Sequence, residues 1–146
     1  MAHSLLEPVD LEYLEDPETH ILAAGGQVYF ALDGDEVVGT CAAIPLSPIS
    51  VELAKLAVVA SARGRGIGRQ LSEVVIAFAR DWGASEVVLT SHTALVNAIH
   101  LYQSLGFQHR PMPPDIRYET ANVYMCLDLR PPLSVLQATL PAAHRG

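Results

Sequence analysis

Between Ile67 and Trp82 the apolar residues recur at spacings of three and four: Ile67, Leu71, Val74, Val75, Phe78 and Trp82. One face of a 3.6-residue helix carries all of them, so the pattern predicts an amphipathic helix ending near Gly83. On either side the period changes. Val28, Phe30 and Leu32 alternate with other residues, "DGDE" supplies a turn, and residues 37–44 return. That is the signature of a β-hairpin. "VELAKLAVV", residues 51–59, is largely apolar and suits a strand near the middle of a sheet. "SEVVLTS" predicts another strand. "ALVNAIHLYQSL" predicts a second helix, capped by Thr93 and stopped by Gly106. A short helix closed by glycine is expected over residues 16–26, ahead of the hairpin. After Phe107 comes a Pro-rich loop, and "RYETANVYMCLDL" closes the series as one or two strands.

The order is therefore α-β-β-β-α-β-α-β. Its strand–helix–strand unit implies a parallel pair with a right-handed crossover, and its hairpin implies antiparallel pairs. The expected fold is α/β, with a mixed sheet and helices on both faces. Residues 1–130 form one expected domain. Residues 131–146 have little pattern and are expected to be a poorly structured tail.

Half of the 146 residues are apolar, enough for one sizeable core, and the net charge is -7. That acidity argues against nucleic acid as a partner, since a binder needs a basic face. The N-terminus has no basic stretch followed by an apolar run, and no apolar run reaches the ~20 residues of a membrane span. A cytoplasmic location without membrane contact is expected. Cys41 and Cys126 have no metal-ligand spacing, so free thiols and no metal are expected. Ser91 and His92 are adjacent only in sequence, without the strained elbow a nucleophilic serine needs.

One turn stands apart from this acidic background. In "VVASARGRGIGRQL", Arg63, Arg65 and Arg69 interleave with Gly64, Gly66 and Gly68 between a strand and a helix. Glycines let a ligand approach the backbone, and a helix start offers unsatisfied N–H groups. The arginines sit where cations are electrostatically unfavourable, so an anion such as a pyrophosphate would complement them. The G-K-[ST] of a P-loop is absent, and a dinucleotide motif read from Gly64 would find Arg69 where its third glycine belongs.

Arg63-Gly64-Arg65-Gly66-Ile67-Gly68 resembles the R/Q-x-x-G-x-G/A signature of the GNAT superfamily of acetyl-CoA-dependent N-acetyltransferases. "NAIHLYQSLGF", from Asn97 to Phe107, resembles that superfamily's second cofactor segment. The resemblance covers residues 37–129. It implies a mixed sheet with splayed central parallel strands. It also implies acetyl-CoA as cosubstrate and a small-molecule or peptide amine as acceptor, attacked directly in a ternary complex. A non-catalytic acyl-CoA-binding module of the same fold is the alternative.

The same resemblance implies the roles. Amides of Arg63, Gly64, Arg65, Gly66, Ile67, Gly68 and Arg69 would cradle the pyrophosphate. The pantetheine arm would lie along Leu56 to Val58, with an N–H near Leu56 polarising the acetyl carbonyl. Asn97 would steady the pantetheine, and Tyr102 would protonate the leaving sulfur. By its spacing with Leu95, Ile99 and Leu105, Tyr102 reads equally as a core aromatic. Glu52 is the candidate base. Alternation puts it on one face with Ala54, Leu56 and Val58, where it takes the amine proton, pairs with a nearby cation or binds the substrate amine. The superfamily's first strand has no counterpart in the 26 residues before "QVYFAL". That leaves the acceptor pocket least defined and makes a homodimer plausible at the open edge. Loop residues Arg117, Tyr118 and Glu119 are candidates for the pocket's other wall.

Overall fold

The computed structural model describes residues 21–115 and 121–130. In them the chain forms β1 (Gln27–Asp33), β2 (Glu36–Ser47), β3 (Ser50–Val58), α1 (Ile67–Trp82), β4 (Glu86–Ser91), α2 (Val96–Ser104), β5 (Gln108–Arg110) and β6 (Val123–Asp128). The strands make one sheet in the order β1-β2-β3-β4-β6-β5. The β3–β4 pair is parallel and every other pair is antiparallel. This is the expected mixed α/β architecture.

Local chemistry accounts for the elements. Gly34 turns the β1–β2 hairpin at φ +64°, a left-handed conformation that glycine adopts without penalty. The three-and-four spacing on α1 buries Ile67, Leu71, Val75 and Ala79 against the sheet. Ser72 lies in the same buried stripe, and its hydroxyl donates to the Gly68 carbonyl at 2.8 Å, so no polar group is left bare there. On the sheet side the core is built from Cys41, Ala43, Val51, Leu53, Val87, Leu89 and Met125. Burying each large aliphatic side chain contributes roughly 1.5–3 kcal/mol. Tyr102 of α2 joins the same cluster, so both helices close one face of the sheet.

Ladder register defines the other face. Partners across a ladder point the same way, so Ile44, Glu52, Val88 and Cys126 share it, as do Thr90 and Tyr124 two residues along. Among the described residues no full helix covers this face. Residues 1–20, where the short first helix was expected to begin, lie outside the described residues, as do the 131–146 tail and Arg117, Tyr118 and Glu119.

Two local expectations need correction. Thr93 does not cap α2, which starts at Val96 with Leu95 in the cap position and no side-chain cap. Instead the Thr93 N–H donates to Asn122 Oδ1 at 3.1 Å, because the β4–β6 ladder carries Asn122 alongside that loop. The extra strand is β5, which lies before the Pro-rich loop. Its three residues are all exposed and carry no alternation, so only pairing with β6 makes them a strand.

Candidate active site

Strands β3 and β4 pair only from Ser50–Glu86 to Glu52–Val88. Beyond that point β3 follows β2 and β4 follows β6, and the two part. The result is a V-shaped cleft in the middle of the sheet, as expected for splayed central strands.

A bulge on β3 lines this cleft. Its ladder with β2 runs from Thr40–Ala57 to Ala42–Ala54, so β3 holds one residue more than its partner. Lys55 takes up the extra length at φ +59°, a left-handed conformation that costs an L-residue roughly 1–2 kcal/mol. Neither Lys55 nor Leu56 has a partner in the β2 or the β4 ladder. The bulge also inverts the alternation. Val51 and Leu53 face the core before it, and Leu56 and Val58 pack against that same core after it. Glu52 therefore does not share a face with Leu56 and Val58, as unbroken alternation required. It lies on the opposite face, at the apex of the cleft.

The glycine–arginine turn follows β3. Gly64 and Gly66 have φ +81° and +78°, and nothing lies within 4 Å of where a Cβ would stand on either. The first bond of α1 runs from the Gln70 N–H to the Gly66 carbonyl, at 3.0 Å. The N–H groups of Gly64, Arg65, Gly66, Ile67, Gly68 and Arg69 find no acceptor among the described residues. Six consecutive free amides at a helix start form a concave donor surface for an anion. Gly68 serves a different purpose. A Cβ there would stand 3.3 Å from Leu101 Cδ2, so glycine lets the start of α1 pack on α2.

The arginine side chains are better partnered than the sequence suggested. Arg63 Nε donates to the Val58 carbonyl at 3.4 Å, and Arg65 pairs with Asp33 at 3.0 Å. Arg69 donates to Ser104 Oγ and lies 4.0 Å from Glu73. Their charge is partly balanced by the protein. The unfilled capacity is in the backbone.

Across the cleft, Asn97 is exposed on the first turn of α2, while Tyr102 is 6% exposed and sits edge-on to Phe107 at 5.8 Å. Burial, and secondarily the nearby Cys41, push the Tyr102 phenol up to about 12. The ring is thus a core aromatic that keeps its proton at physiological pH. No hydrogen bond engages its hydroxyl among the described residues.

On the face opposite the helices lies a cavity of about 330 Å³. Leu46, Val88 and Pro113 give it apolar walls, and Glu52, Thr90, Asp115 and Tyr124 add polar groups. Burial raises the Glu52 carboxyl above its ordinary value, and Lys55 opposes part of that rise. The sequence identified Glu52 and the loop that carries Asp115. Thr90 and Tyr124 went unnoticed, because only the β4–β6 register sets them beside Glu52. A larger cavity of about 450 Å³, beside Trp82 and Pro45, has no carboxylate, amine, imidazole or thiol among its described lining residues, and Ser47 supplies its one side-chain hydroxyl. Among the described residues no group of His, Cys, Asp and Glu could hold a metal ion, and no helix is long and apolar enough to cross a membrane.

Comparison with known proteins agrees with this geometry. The family model described as "Acetyltransferase (GNAT) family" matches residues 3–107. The rat N-acetyltransferase family 8 member 2 is 40% identical over 100 residues, covering 65% of this chain and 44% of that protein. An uncharacterized N-acetyltransferase of Bacillus subtilis, YvbK, is 30% identical over 112 residues, 75% of this chain and 72% of that protein. The chain thus spans under half the length of several curated relatives it matches. Among solved structures, a GNAT-family acetyltransferase from Staphylococcus aureus superposes with TM-score 0.74 at 25% identity, covering 83% of this chain and 79% of that one. A Bacillus subtilis acetyltransferase in complex with CoA superposes with TM-score 0.65 at 26% identity, covering 79% and 84%.

Proposed function

We propose that this chain, which belongs to the acetyltransferase (GNAT) family, transfers the acetyl group of acetyl-CoA to a primary amine by direct attack in a ternary complex. The observation that carries this reading is the run of six free amides, Gly64 to Arg69, at the mouth of the β3–β4 cleft. Charge-assisted hydrogen bonds contribute roughly 1.5–3 kcal/mol each, so a pyrophosphate spanning several of these amides is held well. The solved relative with CoA supports the same donor class.

From that anchor the pantetheine arm runs along the edge of β3 toward the unpaired backbone at Leu56, with Asn97 steadying it from α2. An N–H there polarises the thioester carbonyl and stabilises the oxyanion that forms. Glu52 takes a proton from the acceptor ammonium, which frees the nitrogen lone pair to attack the carbonyl carbon. The C–N bond forms, the C–S bond breaks, and the nitrogen loses a second proton to solvent. The departing thiolate gains its proton from Tyr102, which is reprotonated through solvent as Glu52 gives up the proton it took. The products are an amide, CoA thiol and one released proton.

Two measurements test this reading. Acetyl-CoA should raise the melting temperature, and a panel of primary amines should release CoA thiol at rates that saturate with both substrates. Absence of both effects in the full chain overturns it.

A further inference from the structure

The cavity beside Glu52 has a composition that the acyl-transfer reading does not require. Among the described residues its ionisable lining groups are two carboxylates, Glu52 and Asp115, and the phenol of Tyr124, with no Lys, Arg or His. The two carboxylates come from different parts of the fold. Glu52 stands at the cleft apex on β3, and Asp115 stands on the loop that follows β5. Tyr124 is within electrostatic reach of both: burial raises its phenol most, Glu86 and Cys126 add to the rise, and Glu52 and Asp115 add further. Between the acids the walls are apolar, from Leu46, Val88 and Pro113. At about 330 Å³ the space is near the lower end of the ~300–1,000 Å³ usual for ligand sites, which suits a small acceptor.

We propose that the amine acceptor is a short diamine, with one nitrogen delivered to the thioester beside Glu52 and the other, as an ammonium, held by Asp115. This rests on the acyl-transfer reading above and deepens it by naming the acceptor class. Asp115 is then a specificity-determining residue, and Tyr124 offers its hydroxyl oxygen to the same ammonium. The methylenes of the linker meet the apolar walls. The reaction balances as before: the proximal ammonium gives one proton to Glu52 and a second to solvent, the acetyl carbon exchanges sulfur for nitrogen, and the distal ammonium keeps its charge. An acceptor carrying a carboxylate would meet like charges at both ends of the cavity, so amino acids are disfavoured.

Three amines of one chain length test the assignment: 1,4-diaminobutane, butylamine and 4-aminobutyrate, each assayed for CoA release with the full chain. The expected order of kcat/KM is diamine, then butylamine, then 4-aminobutyrate. The diamine should lead butylamine by about five- to tenfold, the worth of one half-exposed ionic contact. Asp115→Asn should bring that ratio to within about twofold; Asp115 is exposed, so the variant keeps its fold. Equal rates for diamine and butylamine, a preference for 4-aminobutyrate, or an unchanged ratio in Asp115→Asn overturns the inference and leaves acyl transfer standing. Acetyl-CoA binding without turnover of the diamine has the same consequence. Failure to bind acetyl-CoA overturns both.

Discussion

Glu52 and Val88 form the last parallel pair between β3 and β4, and past them the strands separate. A carboxyl whose affinity for protons is raised by burial thus stands at the point where the central ladder opens. A base needs its proton affinity lifted toward the working pH, and this position supplies that through desolvation.

Glu52→Gln should lower kcat/KM for the amine by roughly 10²–10⁴ at neutral pH, the usual worth of general base catalysis. Acetyl-CoA binding should be unchanged. Steady-state rates together with a binding titration separate the two. A loss of acetyl-CoA affinity equal to the loss of rate would remove Glu52 from the proton-transfer role.

The same carboxyl has a pH signature in stability. Its folded value lies above the 4.5 of an unperturbed Glu, so the folded state binds the proton more tightly than the unfolded chain. Stability therefore falls as pH rises from about 4.5 through the folded value, and the penalty persists at neutral pH. Glu52→Gln should melt higher than the parent at pH 7, and the gap should close below about pH 4.5. Melting curves across this range decide it, and a gap that widens at low pH contradicts the burial argument.

Tyr102→Phe keeps the edge-on contact with Phe107 and removes a buried hydroxyl that makes no hydrogen bond among the described residues. Its melting temperature should match or exceed the parent's. Turnover should fall by about 10²-fold or more, with the KM for acetyl-CoA little changed. Unaltered turnover would leave Tyr102 as a packing residue only.

Gly66→Ala should separate strain from recognition. Open space surrounds the position, so a methyl group meets no clash, but φ +78° costs an L-residue roughly 1–2 kcal/mol. Melting should drop by a few degrees. The methyl group would also stand where the pyrophosphate approaches, so the KM for acetyl-CoA should rise tenfold or more. A KM that stays constant while the melting point falls would argue against phosphate at this turn.

Arg65→Ala removes a half-exposed ion pair with Asp33, worth about 0–1 kcal/mol of stability. Its effect on acetyl-CoA affinity should be larger and should shrink as salt rises, because charge at an exposed site is screened. Affinity titrations at two ionic strengths distinguish this from a purely structural arginine.

Most of the elements, and the glycine turn proposed to hold the donor, are legible in the sequence alone. Apolar spacing on Ile67, Leu71 and Val75 specified α1, and alternation specified the hairpin, because these signals are local. The glycines at 64 and 66 signalled a left-handed turn with free amides for the same reason: it is written into a few adjacent positions. Tertiary structure alone decided where Glu52 points. Unbroken alternation set it beside Leu56 and Val58, and the bulge at Lys55, which arises only in the ladder with β2, turned it to the other face. The cavity proposed for the acceptor was decided the same way. Thr90 and Tyr124 meet Glu52 through the registers of two ladders, and register depends on pairing between distant segments, which no single segment encodes.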